Sequence, residues 1–187
     1  MEPRNPDDEQ DLSASAVESN LQSIEINPRD WWNSLDKNWK EVFHNASGIY
    51  EEPTESDIKE MLDLEYVNLY VNQQQVESIT DLTPLKYLKK VKQITGIGST
   101  KVTDLSPISD LLSLNHLDIS SAKLSNINPI KNLARLENIY ASGSSIQSLK
   151  PIMDMPLKAF YFYGCNIPQK EIDEFRQINP YCYIDMY

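Results

Sequence analysis

The sequence predicts an α/β solenoid, a stack of short strand-and-turn units closed by helices at both ends. Three observations predict it. Leu82-Thr83-Pro84-Leu85, Leu105-Ser106-Pro107-Ile108, Ile127-Asn128-Pro129-Ile130 and Leu149-Lys150-Pro151-Ile152 recur at steps of 23, 22 and 22 residues. A fixed period of that size marks units that cannot bury their apolar faces alone. Between the prolines runs a second phrase: Leu114-x-x-Leu117-x-Ile119, Leu136-x-x-Ile139-x-Ala141, Leu157-x-x-Phe160-x-Phe162. Ahead of the first unit and behind the last stand amphipathic stretches suited to closing the stack.

In the first unit Val67, Leu69 and Val71 alternate with Asn68, Tyr70 and Asn72, the period of a half-buried strand. The step from there to Ile79 is long, and Val76 fits an inserted turn. Each proline then opens a short helix on the opposite side. Thr83, Ser106 and Asn128 precede it in three of four units, residue types that accept an orphan N–H, with Lys150 in the fourth. Leu88, Leu111, Leu133 and Met155 close each turn on the core. The Ile94 to Val102 step is one residue longer than Leu117 to Leu124, which accounts for the 23-residue interval; Gly96 and Gly98 absorb the bulge.

Four regions follow. Residues 1–26 are an acidic leader with seven acids against Arg4, read as a solvated tail or a docking arm. Residues 27–63 form an N-terminal cap. Asn27-Pro28 starts a helix in which Trp31, Leu35, Trp39 and Val42 share one face with Trp32 and Phe43 alongside, running to about His44. Thr54-Glu55-Ser56-Asp57 has the layout of a capping box for a second, short helix through Ile58, Met61 and Leu62. Residues 64–166 hold the repeats. Residues 167–187 are the C-terminal cap, in which Ile167-Pro168 leads a helix through Ile172 and Phe175. Asn179-Pro180 stops it, and Tyr181-Cys182-Tyr183-Ile184 reads as a last edge strand.

Composition narrows the function. A formal charge of −11 argues against a phosphate backbone or an anionic membrane as partner, since both require clustered Lys and Arg. No stretch reaches the roughly 20 apolar residues of a membrane span. With Met1 as the natural start, the lack of a signal peptide predicts a cytoplasmic protein; a trimmed start leaves a secreted or surface origin open. Cys165 and Cys182 lack metal-ligand spacing and are too few for a disulfide scaffold; a bond between them requires an oxidising compartment. His44 sits where an imidazole caps helix-terminal carbonyls, and His116 points outward beside Asp118. No nucleophile–base–orienter pattern or phosphate loop is present, so no catalysis, metal or cofactor is expected.

Together the leucine phrase and the prolines resemble the leucine-rich repeat, most closely its 22-residue internalin-like form. With the tryptophan-rich lead helix and the Asn179-Pro180-x-Cys182-x-Ile184 ending, about residues 27–187 are similar to small bacterial leucine-rich repeat proteins. The resemblance implies a right-handed horseshoe with a parallel sheet on its concave face and helical caps at both ends. The ladder position usually held by Asn carries Thr100, Ala122, Ser144 and Cys165 instead, which makes Cys165 a buried ladder residue first and a reactive thiol second.

The residues flanking the central leucine of each phrase point to the concave sheet. They form a strip: Tyr66, Asn68 and Tyr70; Gln93 and Thr95; His116, Asp118 and Ser120; Asn138, Tyr140 and Ser142; Ala159, Tyr161 and Tyr163. Tyrosine offers broad, rigid contact area with a polar tip, although it is also simply a good strand former. The expected function is binding of another protein or peptide by a monomer. The rivals are a surface adhesion module and a self-assembling structural protein.

Overall fold

Six three-residue strands lie side by side in chain order, every neighbouring pair parallel: β1 (Tyr66–Asn68), β2 (Gln93–Thr95), β3 (His116–Asp118), β4 (Asn138–Tyr140), β5 (Ala159–Tyr161) and β6 (Tyr183–Asp185). The structure is a computed structural model describing residues 26–70 and 78–186. The acidic leader to Glu25 and the inserted turn at Val76 lie outside the described residues. The strands are short because each repeat devotes one inward side chain to the sheet. Val67, Ile94, Leu117, Ile139, Phe160 and Ile184 stand in one register across all six strands, and the first five are buried. Parallel pairing leaves each strand to return through a turn on the far side, which is where the prolines sit.

Those turns are 3₁₀ segments at Thr83–Tyr87, Ser106–Ile108, Asn128–Ile130 and Lys150–Ile152. Thr83, Ser106 and Asn128 do not accept a helix N–H as expected. Each instead donates its own N–H to the side chain two residues earlier, to Asp81 at 3.0 Å, Asp104 at 2.9 Å and Asn126 at 3.0 Å. Their side chains donate to the same oxygens. The reason is local. Proline brings no N–H and the next residue bonds back to the carbonyl before the turn, as Leu85 does to Leu82, so the orphan donor is that of Thr83 itself. The fourth unit has Ser148 where the acid or amide stands, and there Glu171 accepts from the Ser148 hydroxyl at 2.8 Å and the Leu149 N–H at 2.7 Å.

Leu88, Leu111, Leu133 and Met155 are buried beneath the turns. We expect Leu133→Ala to cost about 2–5 kcal/mol, because it leaves a cavity in a close-packed stack. Pro129→Ala should cost about 1 kcal/mol or less, acting mainly through the unfolded chain. Urea melts of the two variants check this, and equal effects would contradict the inward register.

The N-terminal cap departs from one expectation. The single helix to His44 is two helices, α1 (Pro28–Ser34) and α2 (Lys37–Ser47), separated at Leu35 and Asp36. Leu35 is extended, and the Asp36 carboxylate accepts the N–H groups of Asn38 and Trp39 at 2.8 and 3.0 Å. An N-cap there starts a new helix. Trp31, Leu35 and Trp39 are nevertheless 0%, 7% and 4% exposed, since both helices turn their apolar faces to the first repeat. The indoles are tied to that repeat's turn: Trp31 Nε1 donates to the Pro84 carbonyl and Trp39 Nε1 to that of Asp81, both at 3.2 Å. Helix α3 (Glu55–Leu62) carries the capping box expected of Thr54 and Asp57. Arg29 clasps α1 to it through Glu52, Glu55 and the Pro53 carbonyl.

At the other end α4 (Gln169–Ile178) buries Ile172 and Phe175. The Asn179 amide donates to the Met153 carbonyl at 2.7 Å. The 23-residue interval is taken up by an extra 3₁₀ turn at Ile97–Ser99. Gly96 there has φ of 82°. Gly98 packs so closely on the next repeat that a Cβ would fall 1.7 Å from the Ser120 carbonyl oxygen.

Candidate functional site

The strand register sorts the outward side chains into rows that cross the sheet. One row reads Tyr66, Gln93, His116, Asn138, Ala159 and Tyr183; the next reads Asn68, Thr95, Asp118, Tyr140, Tyr161 and Asp185. Tyr70, Ser120, Ser142 and Tyr163 follow two positions further along their chains. All fourteen positions singled out in the sequence therefore belong to the five repeat units that build this face. Alternation along a strand puts them opposite the buried leucines.

Within the rows the side chains make a continuous arrangement. His116 lies 4.8 Å from the Tyr140 ring, Tyr140 stacks on Tyr161 at 4.4 Å and 7°, and Tyr161 meets Tyr183 at 5.6 Å. Parallel strands bring equivalent side chains to one spacing, so rings on successive repeats stack. On the other half, hydrogen bonds replace ring contacts. The Tyr66 and Thr95 hydroxyls are 3.2 Å apart, and Thr95 also donates to the Asn68 side chain. The Tyr70 hydroxyl reaches over β2 to donate to Asp118 Oδ2 at 2.9 Å, and the Ser120 N–H donates to Asp118 Oδ1. A Cβ at Gly96, below that tyrosine, would fall 2.7 Å from the Tyr70 backbone N and 2.9 Å from the Leu69 carbonyl carbon, with the ring at 3.0 Å.

The electrostatics follow from this packing. Burial, the bond to Asp118 and its charge push the Tyr70 hydroxyl up to about 12. Burial also raises Tyr140, aided by Tyr161 and Asp118. Burial lowers the His116 imidazole against the opposing pull of Asp118.

The remaining chemistry-bearing residues are engaged structurally. His44 Nδ1 bonds the Ile49 carbonyl beyond the helix end, and its ring packs edge-on to Trp32. The Cys165 thiol donates to the Ala141 carbonyl at 3.1 Å and lies 3.3 Å from the Ser144 hydroxyl; it is half-buried, where a fully buried position was expected. Both thiols are unpaired, and burial pushes Cys182 up to about 11. Among the described residues no group of three or more His, Cys, Asp or Glu side chains could hold a metal ion, and no helix is long and apolar enough to cross a membrane.

No protein-family model matches the chain, and no curated protein sequence does. A leucine-rich repeat protein of Leptospira interrogans matches with a TM-score of 0.55 and 22% identity, over 71% of this chain and 40% of its own. The fold is a leucine-rich repeat solenoid. Two Listeria monocytogenes proteins match more loosely. Internalin C2 has a TM-score of 0.49 at 17% identity, over 80% of this chain and 82% of that one. A second internalin (inlF) has a TM-score of 0.45 at 14% identity, over 89% and 60%. In a leucine-rich repeat the parallel sheet lines the concave side, so the ring stack and the Tyr70–Asp118 bond lie on the concave face.

Sequence reasoning left two members of these rows out. Tyr183 and Asp185 continue them through β6, whereas the segment around Tyr183 reads as a cap edge strand. Their signal is the same alternation about a central apolar residue, Tyr183-Ile184-Asp185, without the leucine phrase that marks the repeats.

Proposed function

We propose that this chain is a non-enzymatic module that binds another protein or peptide across its concave face. The observation that carries the reading is the aromatic stack from His116 through Tyr140 and Tyr161 to Tyr183. It is a rigid strip on a sheet face that no other described element covers. Ring stacking and hydrogen bonds within the face hold its side chains in place, so little conformational freedom remains to be lost on association. Interface energy concentrates in such aromatics. The two unpaired thiols accord with a companion proposal, a cytoplasmic location. Fractionation of the native cell tests it.

The full chain, used as bait in extracts of the native cell with cross-linking, should capture its partner with cross-links on the concave rows. Tyr140→Ala and Tyr161→Ala should each weaken binding about tenfold or more and leave the melting curve nearly unchanged. Charge changes at the convex residues Lys131 and Asp110 should do almost nothing. Capture abolished by the convex changes and untouched by the tyrosine changes would sink the reading. A second reading, self-association through the C-terminal end, is favoured by exposed Ile178, Tyr181 and Tyr183 beside the open edge of β6. Light scattering over a range of concentrations separates the two.

A further inference from the structure

The fourth repeat is one residue short where its chain returns to the sheet. The step from turn to next core position is three residues in the first three units, Leu88 to Val91, Leu111 to Leu114 and Leu133 to Leu136. In the fourth, Met155 to Leu157, it is two. The N–H groups of Val91, Leu114 and Leu136 accordingly donate to the carbonyl three residues back, and that of Leu157 to Met155, two back, at 2.8 Å. Arg135 therefore has no counterpart in the fourth unit, and a notch opens between Ala134 and Pro156. Both residues line two adjoining surface hollows, of about 510 and 490 Å³. Lys131 and Lys150 line one, with Asp154; Lys92, Arg135 and Lys158 line the other, with Glu137. Lys92 and Lys158 are matched already, to Glu65 at 2.7 Å and Glu137 at 2.8 Å, and Lys150 has Glu171 nearby. Among the described residues the Lys131 and Arg135 side chains have no acid partner. The excess is part of a wider one. Residues 84–170 hold eleven Lys and Arg against five Asp and Glu, a formal +6 within a chain of −11.

We infer that the groove across this notch holds the acidic leader of the same chain, with Asp7, Asp8, Glu9 and Asp11 set against Lys131, Arg135 and Lys150. Charge selects the occupant: residues 1–26 carry −6, and those four acids fall within five residues. The tether is long enough. Trp31 pins α1 to the first turn, and the notch lies between the third and fourth, within about 15 Å along the stack at the usual strand spacing. The fifteen residues from Asp11 to Ile26 span up to about 50 Å. Tethering also decides the energetics. Exposed ion pairs are individually weak, so three of them give a free acidic peptide only about millimolar affinity. A flexible tether supplies an effective concentration of that order, enough to keep the leader docked for a large share of the time. Arg135 offers a carboxylate two N–H groups at once, and Asn132 beside Lys131 adds an amide donor. The surface occupied in this way is separate from the concave rows.

The test uses the full chain. A carbodiimide joins carboxylates to lysine amines in direct contact, and mass spectrometry of an equal mixture of unlabelled and ¹⁵N-labelled protein separates links within one chain from links between two. Residues 7–11 should link to Lys131 and Lys150 within one chain. They should link far less to Lys101 and Lys123, which are exposed but lie outside the groove. Arg135→Gln removes no reactive group, yet should cut the groove links about threefold and leave the melting curve unchanged. A second measurement leaves the folded body untouched. In the variant combining Asp7→Asn, Asp8→Asn, Glu9→Gln and Asp11→Asn, the NMR amide signals of Asn132, Ala134 and Arg135 should move relative to the native chain. About 0.5 M NaCl should abolish the difference. Links spread evenly over the exposed lysines, or groove amides indifferent to the four leader substitutions, overturn the inference. Links chiefly between chains overturn it in favour of a second copy as the occupant.

Discussion

Trp31→Ala should lower the melting temperature by roughly 10 °C, on the usual few degrees per kcal/mol for a chain of this size. The indole is fully buried, meets Phe43 edge-on at 4.7 Å and donates to the Pro84 carbonyl. Truncating a buried tryptophan costs about 3–5 kcal/mol through lost contacts and the cavity left behind, a large share of the roughly 5–15 kcal/mol that holds a typical domain folded. Here the loss falls at the joint between the helical cap and the first repeat. Trp31→Phe should recover most of the stability, since it restores a ring and sacrifices the single N–H bond. Calorimetry of both variants checks the claim. A shift of a degree or two in Trp31→Ala would contradict it, as would a fragment of residues 50–187 that folds cooperatively and stays soluble.

Gly98→Ala, a change of one methyl group, should destabilise the fold by about 3 kcal/mol or more, at the upper end of overpacking effects. The added carbon would overlap the Ser120 carbonyl oxygen at 1.7 Å, and that oxygen is backbone on the neighbouring repeat. Neither side can rotate away. The two repeats must separate locally, weakening the β2–β3 pairing that crosses the middle of the sheet. Gly48→Ala is the comparison: its φ is left-handed at 75°, unlike that of Gly98, yet a Cβ there meets nothing within 4 Å, so it should cost only about 1 kcal/mol of backbone strain. Denaturant melts ranking Gly48→Ala at or below Gly98→Ala in stability would show that contact at residue 98 is relieved more cheaply than the geometry allows.

Period and alternation made the repeats legible because both are imposed by the stack itself. A residue that must reach the shared core in every unit cannot drift, so Leu117, Ile139 and Phe160 declare the register and their neighbours declare the outer rows. The pairings within those rows were not legible: the bond from Tyr70 over β2 to Asp118 joins residues two repeats apart, and no local pattern declares it. The break at Leu35 was hidden because α1 and α2 turn the same face inward, so the apolar spacing runs on across it; the signal lay in Asp36, an N-cap residue type standing three before Trp39. The turn caps were misplaced by two positions for a related reason. A capping residue before proline suggests an acceptor for the helix, whereas the unpaired donor belongs to that residue, and the acceptor is Asp81, Asp104 or Asn126.

The substitution of Ser148 into that acceptor position has a consequence for how the solenoid is counted. In three repeats the acceptor of the turn is an acid or an amide; in the fourth Ser148 Oγ accepts the Lys150 N–H at 3.3 Å, and the carboxylate of Glu171 arrives from α4 to accept from that hydroxyl and from the Leu149 N–H. The last unit is thus marked as last by its serine, whose hydroxyl donates to the cap. A duplicated unit spliced in before residue 127 would leave this lock and key intact and lengthen the solenoid by one rung. The same unit placed after residue 166 would set a turn with an acid or amide in place of that serine against the glutamate. Growth of this architecture is therefore open in its interior and closed at its C-terminal end.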